Sequence, residues 1–255
     1  MLLTIDIGNT NITLGLFRGT ELVTAWRLAT AHERMPDEYG LQLLGLFEHA
    51  GVDPAGLEGS VLASVVPPLT GTWLQACAKY LSRDPLVVDA GVRTGVRIRY
   101  EDPKGVGADR VADAAAAQQL YGGPACIVDF GTATTFDAIT AEGDYLGGAL
   151  APGIGIAAEA LFQRTAKLPR VDLARPPGAI GRNTVHALQS GLLFGYVGLV
   201  EGMVGRFRAE LGNGMKVIGT GGLVDVIAAE TAVIEIKAPW LTLEGLRIIW
   251  DLNRP

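Results

Sequence analysis

The sequence predicts an α/β chain of two similar halves, and three observations predict it. The segments Asp6-Ile-Gly8-Asn-Thr10 and Asp129-Phe-Gly131-Thr132 share an Asp-x-Gly turn. Each follows a short apolar run and precedes a second strand pattern, so a strand–turn–strand opens each half. After each of them, stretches with helical spacing alternate with short apolar runs, the pattern of a sheet covered by helices.

The elements follow in order. Leu2 to Asp6 reads as a buried strand, Asn11 to Phe17 as a second, and Glu21 to Leu28 as a third across an Arg18-Gly19-Thr20 hairpin turn. Tyr39, Leu43, Leu44 and Phe47 are spaced as one helix face over 36–50, and Gly51 stops the helix. Val61 to Val66 is a strand ended by Pro67-Pro68, Thr70 to Leu81 a helix, and Leu86 to Val88 a short strand. A glycine-rich stretch over 104–107 leads into a helix over 108–121, whose alanine run has high helix propensity. In the second half, 125–130, 134–140 and 145–150 read as strands, 153–167 and 184–211 as helices. A strand over 216–219 then turns through Thr220-Gly221-Gly222 into a helix, and 241–253 is the last helix. The expected division is 1–113 and 114–255.

Composition narrows the function. The chain has 255 residues and is 49% hydrophobic, enough to bury a sizeable core. Lys plus Arg is 21 and Asp plus Glu is 27, and 21 − 27 gives −6. That balance argues against a reader of the nucleic-acid backbone, which needs a basic stripe. Cys77 and Cys126 lie far apart, and His32, His49 and His186 form no cluster, so no zinc or iron site is expected. Cys126 sits in an apolar run and reads as a structural thiol. The N-terminus has no basic n-region and reaches Asp6 at once, unlike a signal peptide. No uninterrupted apolar stretch reaches bilayer length. A cytoplasmic protein without membrane or nucleic-acid partners is expected.

The repeated turns suit phosphate chemistry. Small residues let backbone N–H groups approach phosphate oxygens, and Thr10 and Thr132 add hydroxyls. Asp6 and Asp129 repel phosphate and make sense beside it only through a cation or ordered water; their hard oxygens suit Mg²⁺ or a monovalent ion. A single Asp-x-Gly is also an ordinary turn, in which the aspartate bonds local backbone; two at corresponding places weigh against that reading. There is no Walker A pattern, so phosphate binding by a P-loop is excluded. Thr220-Gly221-Gly222 lets a flat ligand or phosphate press on backbone, and equally reads as plain loop. Asp109 and Arg110 stand at the start of the alanine-rich helix. A carboxylate there accepts a hydroxyl proton during transfer, and the guanidinium grips phosphate or carboxylate. By residue chemistry alone, Asp109 as a helix N-cap is the simpler reading.

Two resemblances extend this reading. The repeated strand–turn–strand resembles the duplicated ribonuclease-H-like fold of actin, sugar kinases and heat-shock ATPases, in which two similar halves face an interdomain ATP cleft. More specifically, Met1-Leu-Leu-Thr-Ile-Asp-Ile-Gly-Asn-Thr-Asn11, Asp102-Pro-Lys-Gly-Val-Gly-Ala-Asp-Arg110 and Asp129-Phe-Gly-Thr-Ala-Thr-Thr-Phe-Asp137 look like motifs of type III pantothenate kinases. Gly147 to Gly153, Gly181 to Thr184 and Leu241 to Leu246 match as well, in the expected order along the whole chain. The resemblance implies transfer of the ATP γ-phosphate to the 4′-hydroxyl of pantothenate, the first step of coenzyme A biosynthesis. It implies ATP binding by Asp6, Ile7, Gly8, Asn9, Thr10, Asn11, Ile12, Thr13 and Thr132. It implies pantothenate contacts from Tyr100, Gly107, Ala108, Asp109, Arg110 and Thr184, with Asp109 the catalytic proton acceptor. It further implies Mg²⁺ with the ATP, a monovalent cation (K⁺ or NH₄⁺) on Asp129, and a homodimer through the helix that Thr184 opens. A kinase for a sugar or short carboxylic acid, and a binding protein that has lost catalysis, are the alternatives. The intact loop around Asp109 disfavours the first, and the retained Asp109 and Asp129 disfavour the second.

Overall fold

The computed structural model describes residues 1–254. In chain order the strands and helices are β1 (Leu2–Ile7), β2 (Asn11–Arg18), β3 (Glu21–Ala29), α1 (Pro36–His49), β4 (Gly59–Ser64), α2 (Pro67–Leu81), β5 (Leu86–Val87), β6 (Arg97–Ile98) and α3 (Ala108–Leu120). They continue with β7 (Ala125–Phe130), β8 (Ala133–Ile139), β9 (Asp144–Pro152), α4 (Ile154–Arg164), α5 (Thr184–Leu211), β10 (Lys216–Gly221), α6 (Val224–Ala228), β11 (Ile236–Lys237) and α7 (Leu241–Asn253). The chain folds as two compact units. One comprises residues 1–97, 101–120 and the segment from Leu241 onward; the other comprises 98–100 and 121–240.

Unit 1 carries a five-stranded sheet in the order β3-β2-β1-β4-β5. β1 is central, antiparallel to β2 and parallel to β4. A strand flanked and covered on both faces reads as a continuous apolar run, and β1 is buried at every position but Asp6. Leu3, Ile5 and Ile7 face one core with their register partners Leu16, Leu14 and Ile12. Tyr39, Leu43 and Phe47 of α1 and Leu69, Trp73 and Cys77 of α2 close it. Burial pushes the Cys77 thiol, like that of Cys126 in unit 2, up to about 12. Both are inert structural thiols at neutral pH.

By strand alternation, Thr4 and Asp6 face the other side of the sheet. There Gly15, the partner of Thr4, lies against Leu243 of α7, and α7 packs on α3.

Unit 2 repeats this topology. Its sheet runs β11-β10-β7-β8-β9-β6. β7 is antiparallel to β8 and parallel to β10, as β1 is to β2 and β4. The match extends outward: β8–β9 is antiparallel like β2–β3, and β10–β11 parallel like β4–β5. Cys126, Val128 and Phe130 face a core made with Leu193, Val197, Val200 and Val204 of α5 and Val224 and Ile227 of α6.

Three expectations are corrected. The division at 113/114 falls inside α3, whose whole length belongs to unit 1. The last helix, expected in the second half, also joins unit 1, because its Gly245 lets the α7 backbone press on that of Ala112 in α3. Pro67 and Pro68 do not separate strand from helix but form the first turn of α2, where a missing N–H costs nothing. Apart from these, α5 is long and apolar enough by length and composition alone to cross a membrane, with a mean hydropathy of 1.3 over its most apolar 18 residues, although Gln189, Ser190 and Glu201 interrupt its apolar run. That stretch includes the residues that pack into the unit 2 core.

The α3–α7 contact yields a stability test. A Cβ at Gly245 would fall 1.9 Å from the Ala112 carbonyl oxygen. Gly245→Val should destabilise by about 1–3 kcal/mol, the usual overpacking range. A thermal melt checks this, and an unchanged Tm would show that the two helices separate freely.

Candidate active site

The first loop grows from the end of β1. Asp6 is half-buried, while Asn9, Thr10 and Asn11 are exposed. Gly8 N–H donates to the Asn11 carbonyl at 3.0 Å and closes a tight turn. The turn is tied from behind by Thr30, just past β3. The Thr30 hydroxyl donates to the Gly8 carbonyl at 2.7 Å, and its N–H donates to the Thr10 carbonyl at 3.0 Å. Thr30 carries no motif, and its role depends on β2 and β3 pairing to bring it back.

The glycine-rich loop comes to the same end of the same sheet. Asp102 opens a single 3₁₀ turn over Pro103–Gly105 and accepts from Lys104 N–H at 3.3 Å. Asp109 is the second residue of α3, and its Oδ1 accepts from Arg110 N–H at 2.8 Å. It therefore sits inside the first turn and is not the N-cap residue itself. A Cβ on Gly107 would lie 2.4 Å from that same Oδ1 and 3.3 Å from Val65 Cγ1. Val65 in turn donates its N–H to the Ile7 carbonyl at 3.1 Å. Val65 thus joins the Asp109 loop to the residue just before Gly8, and Gly107 is what lets the carboxylate fold in beside it.

The second loop is built on β7 as the first is on β1. Asp6 pairs with Thr13 across the β1–β2 ladder, and Asp129 pairs with Thr135 across β7–β8. Gly131 N–H closes the turn on the Ala133 carbonyl at 3.1 Å, and Thr132 is exposed. The Thr132 carbonyl accepts from Gly153 N–H at 3.1 Å, and a Cβ on Gly153 would fall 2.1 Å from that oxygen. The Gly147–Gly153 motif thus seats the loop.

Thr220-Gly221-Gly222 differs from expectation. Thr220 and Gly221 are the last residues of β10, paired with Asp129 and Phe130, and the turn begins only at Gly222. Gly221 has φ +89, and a Cβ there would lie 2.3 Å from Asp129 Oδ1. Its bare backbone makes room for the Asp129 carboxylate.

Tyr100 lies in unit 2, against Gly147 of β9, and the residue is 38% exposed. Thr184 is exposed on the first turn of α5, a different element, behind an Asn183 cap whose side chain accepts from His186 N–H at 2.8 Å. The expected site residues therefore divide into the Asp6–Thr13 and Gly107–Arg110 loops in unit 1, and Tyr100, Asp129, Thr132 and Thr184 in unit 2.

The donor set suits a hard cation in part. Glycines at 131 and 221 leave open backbone around the Asp129 oxygens. Among the described residues no group of three or more His, Cys, Asp or Glu side chains converges to form a metal cage. Such an arrangement suits an ion that completes its shell with backbone, water or phosphate oxygens.

Two sheets of matching topology, each with an Asp-x-Gly turn at the end of its central strand, define a duplicated actin-like ATPase fold. An inorganic polyphosphate/ATP-glucomannokinase from Arthrobacter sp. strain KM shares it, with a TM-score of 0.51 at 15% identity over 99% of both chains. The chain belongs to the type III pantothenate kinase family, whose model matches residues 2–206. Proteins named type III pantothenate kinase are 52% identical over 254 residues in Roseiflexus sp. (strain RS-1), covering 100% of both chains, and 54% identical over 253 residues in Moorella thermoacetica, covering 99% of this chain and 100% of that one.

The seat of Asp129 gives a second test. Gly221→Ala puts a methyl group where the carboxylate lies and penalises the positive φ by about 1 kcal/mol or more. The protein should still fold, and its ATP affinity should fall at least several-fold by calorimetry. Unchanged affinity would remove Asp129 from the nucleotide site.

Proposed function

We infer that the protein transfers the ATP γ-phosphate to the 4′-hydroxyl of pantothenate, opening coenzyme A biosynthesis. One observation supports the reading: within unit 1, Gly107 lies against both Asp109 Oδ1 and Val65, and Val65 N–H donates to the Ile7 carbonyl at the start of the first turn. A proton acceptor and a phosphate-binding turn at one sheet end are the parts a phosphoryl transfer to an alcohol needs. In this reading Asp6 to Thr13 and Thr132 bind ATP phosphates through backbone N–H groups and hydroxyls. Asp109 takes the hydroxyl proton, Arg110 grips the pantothenate carboxylate, and Gly107, Ala108, Tyr100 and Thr184 complete the acceptor site. Asp129 would hold a monovalent cation (K⁺ or NH₄⁺). That cation and the Mg²⁺ of ATP would offset phosphate charge. Free thiols at Cys77 and Cys126 suit a cytoplasmic protein.

The Asp109 variant tests the function. Asn keeps the shape and can still accept from Arg110 N–H, but it lacks the basic oxygen. Asp109→Asn should keep its fold and ATP binding and lose turnover by about 100- to 10,000-fold, the usual cost of a missing general base. Full activity would move the proton acceptor to another carboxylate. Wild type inactive with pantothenate but active with a sugar would replace the substrate, and equal rates in Na⁺, K⁺ and NH₄⁺ would remove the monovalent ion.

A homodimer through α5 belongs to the same reading. Gly191, Gly195, Gly198, Gly202 and Gly205 recur at alternating spacings of four and three, which places them on one helix face. Cβ atoms at Gly191, Gly195, Gly198 and Gly205 would meet nothing within 4 Å. Each helix-interior glycine costs about 0.5–1 kcal/mol against alanine, a cost offset when a second helix packs closely on that face. Light scattering at micromolar concentration should give twice the chain mass, and Gly198→Glu should halve it. A monomeric wild type would refute the dimer.

A further inference from the structure

Asp137 is a fully buried aspartate on β8. Burying a carboxylate is costly unless hydrogen bonds replace its water. Two hydroxyls do so here: Tyr145 donates to Oδ1 at 2.7 Å and Thr135 to Oδ2 at 3.1 Å. Those two donors lead to different parts of the site. Thr135 is the ladder partner of Asp129, two residues from Asp137 and on its face of the sheet. Tyr145, also buried, stands on β9 with its ring 6.5 Å from that of Tyr100.

Tyr100 is held against β9 in other ways too. Arg99 N–H donates to the Tyr145 carbonyl at 2.8 Å, and the Arg99 guanidinium pairs with Asp144 at 3.2 Å. Gly147 has φ +116, and a Cβ there would come within 2.8 Å of the Tyr100 ring carbons. A half-exposed aromatic ring is thus seated on bare backbone and braced by a buried ring whose hydroxyl is fixed from below. A phenylalanine and an apolar partner would fill this interior without the cost of burying an acid. The buried acid instead sets the position of the Tyr145 ring, because the hydroxyl must meet one oxygen.

We propose that Asp137 and Tyr145 are positioning residues. They hold the Tyr100 face in place for the acceptor substrate, from the same carboxylate that steadies the strand beside Asp129. The proposal rests on the pantothenate kinase reading, in which Tyr100 contacts the acceptor.

Tyr145→Phe tests it, because the ring that braces Tyr100 remains and only the tether to Asp137 is lost. Circular dichroism should show a folded protein. KM for pantothenate should rise about 3- to 10-fold, the scale of one ordinary net hydrogen bond, while kcat and KM for ATP stay within about twofold. The same change in a Tyr100→Ala background should add nothing further, since a residue acting through Tyr100 has no effect once that ring is gone. An unchanged KM for pantothenate in Tyr145→Phe overturns the proposal. So does an equal rise in both backgrounds, which marks a merely structural role. Both results leave the kinase reading intact if the wild type phosphorylates pantothenate; a wild type that does not would sink that reading and this proposal together.

Discussion

The structure depends on how a central strand ends. β1 and β7 are each flanked by strands on both sides and buried along most of their length, so they are largely apolar up to their aspartates. At the end of each, the chain has to turn back into an antiparallel neighbour within a few residues. An Asp-x-Gly segment does this with one backbone hydrogen bond, Gly8 to Asn11 in one unit and Gly131 to Ala133 in the other. The turn leaves an aspartate at the sheet end, followed by the exposed Asn9, Thr10 and Asn11 in unit 1 and the exposed Thr132 in unit 2. The pairing of β1 with β2 and of β7 with β8, the siting of Asp6 and Asp129 and the exposure of Thr10 and Thr132 follow from that geometric demand.

Around these turns, chemistry is made possible chiefly by missing side chains. Gly107 lets the Asp109 carboxylate fold in, Gly221 admits that of Asp129, Gly153 seats the Thr132 carbonyl, and Gly147 carries the Tyr100 ring. In each case a Cβ would collide with the group that the site presents. The glycines of α5 differ, since most of them face open space.

Much of the fold was legible beforehand. The bounds of α5 and α7 match expectation to the residue, and β1, β2, β3 and β7 to within one. Long periodic segments and apolar runs ending in Asp-x-Gly carry their own signal. The two-residue strands β6 and β11 do not, because two residues show no alternation and, unlike Leu86–Val87 of β5, each pairs an apolar residue with a charged one. Assigning α7 to the second half failed for another reason. Its amphipathic pattern specifies that one face is buried but not which surface covers it, and α3 lies more than a hundred residues earlier in the chain.

The sequence by itself determined the duplication, the two phosphate-type turns and the candidate acceptor Asp109, because each is written in contiguous residues with local turn and helix chemistry. Tertiary structure decided what supports them. Thr30 behind the first turn, Val65 between that turn and Asp109, Gly221 under Asp129, and the Asp137–Tyr145 tether below Tyr100 all act across strand pairings. No local pattern marks such a residue, since its partner is set by which strands lie side by side, and that is settled only when the whole sheet has formed.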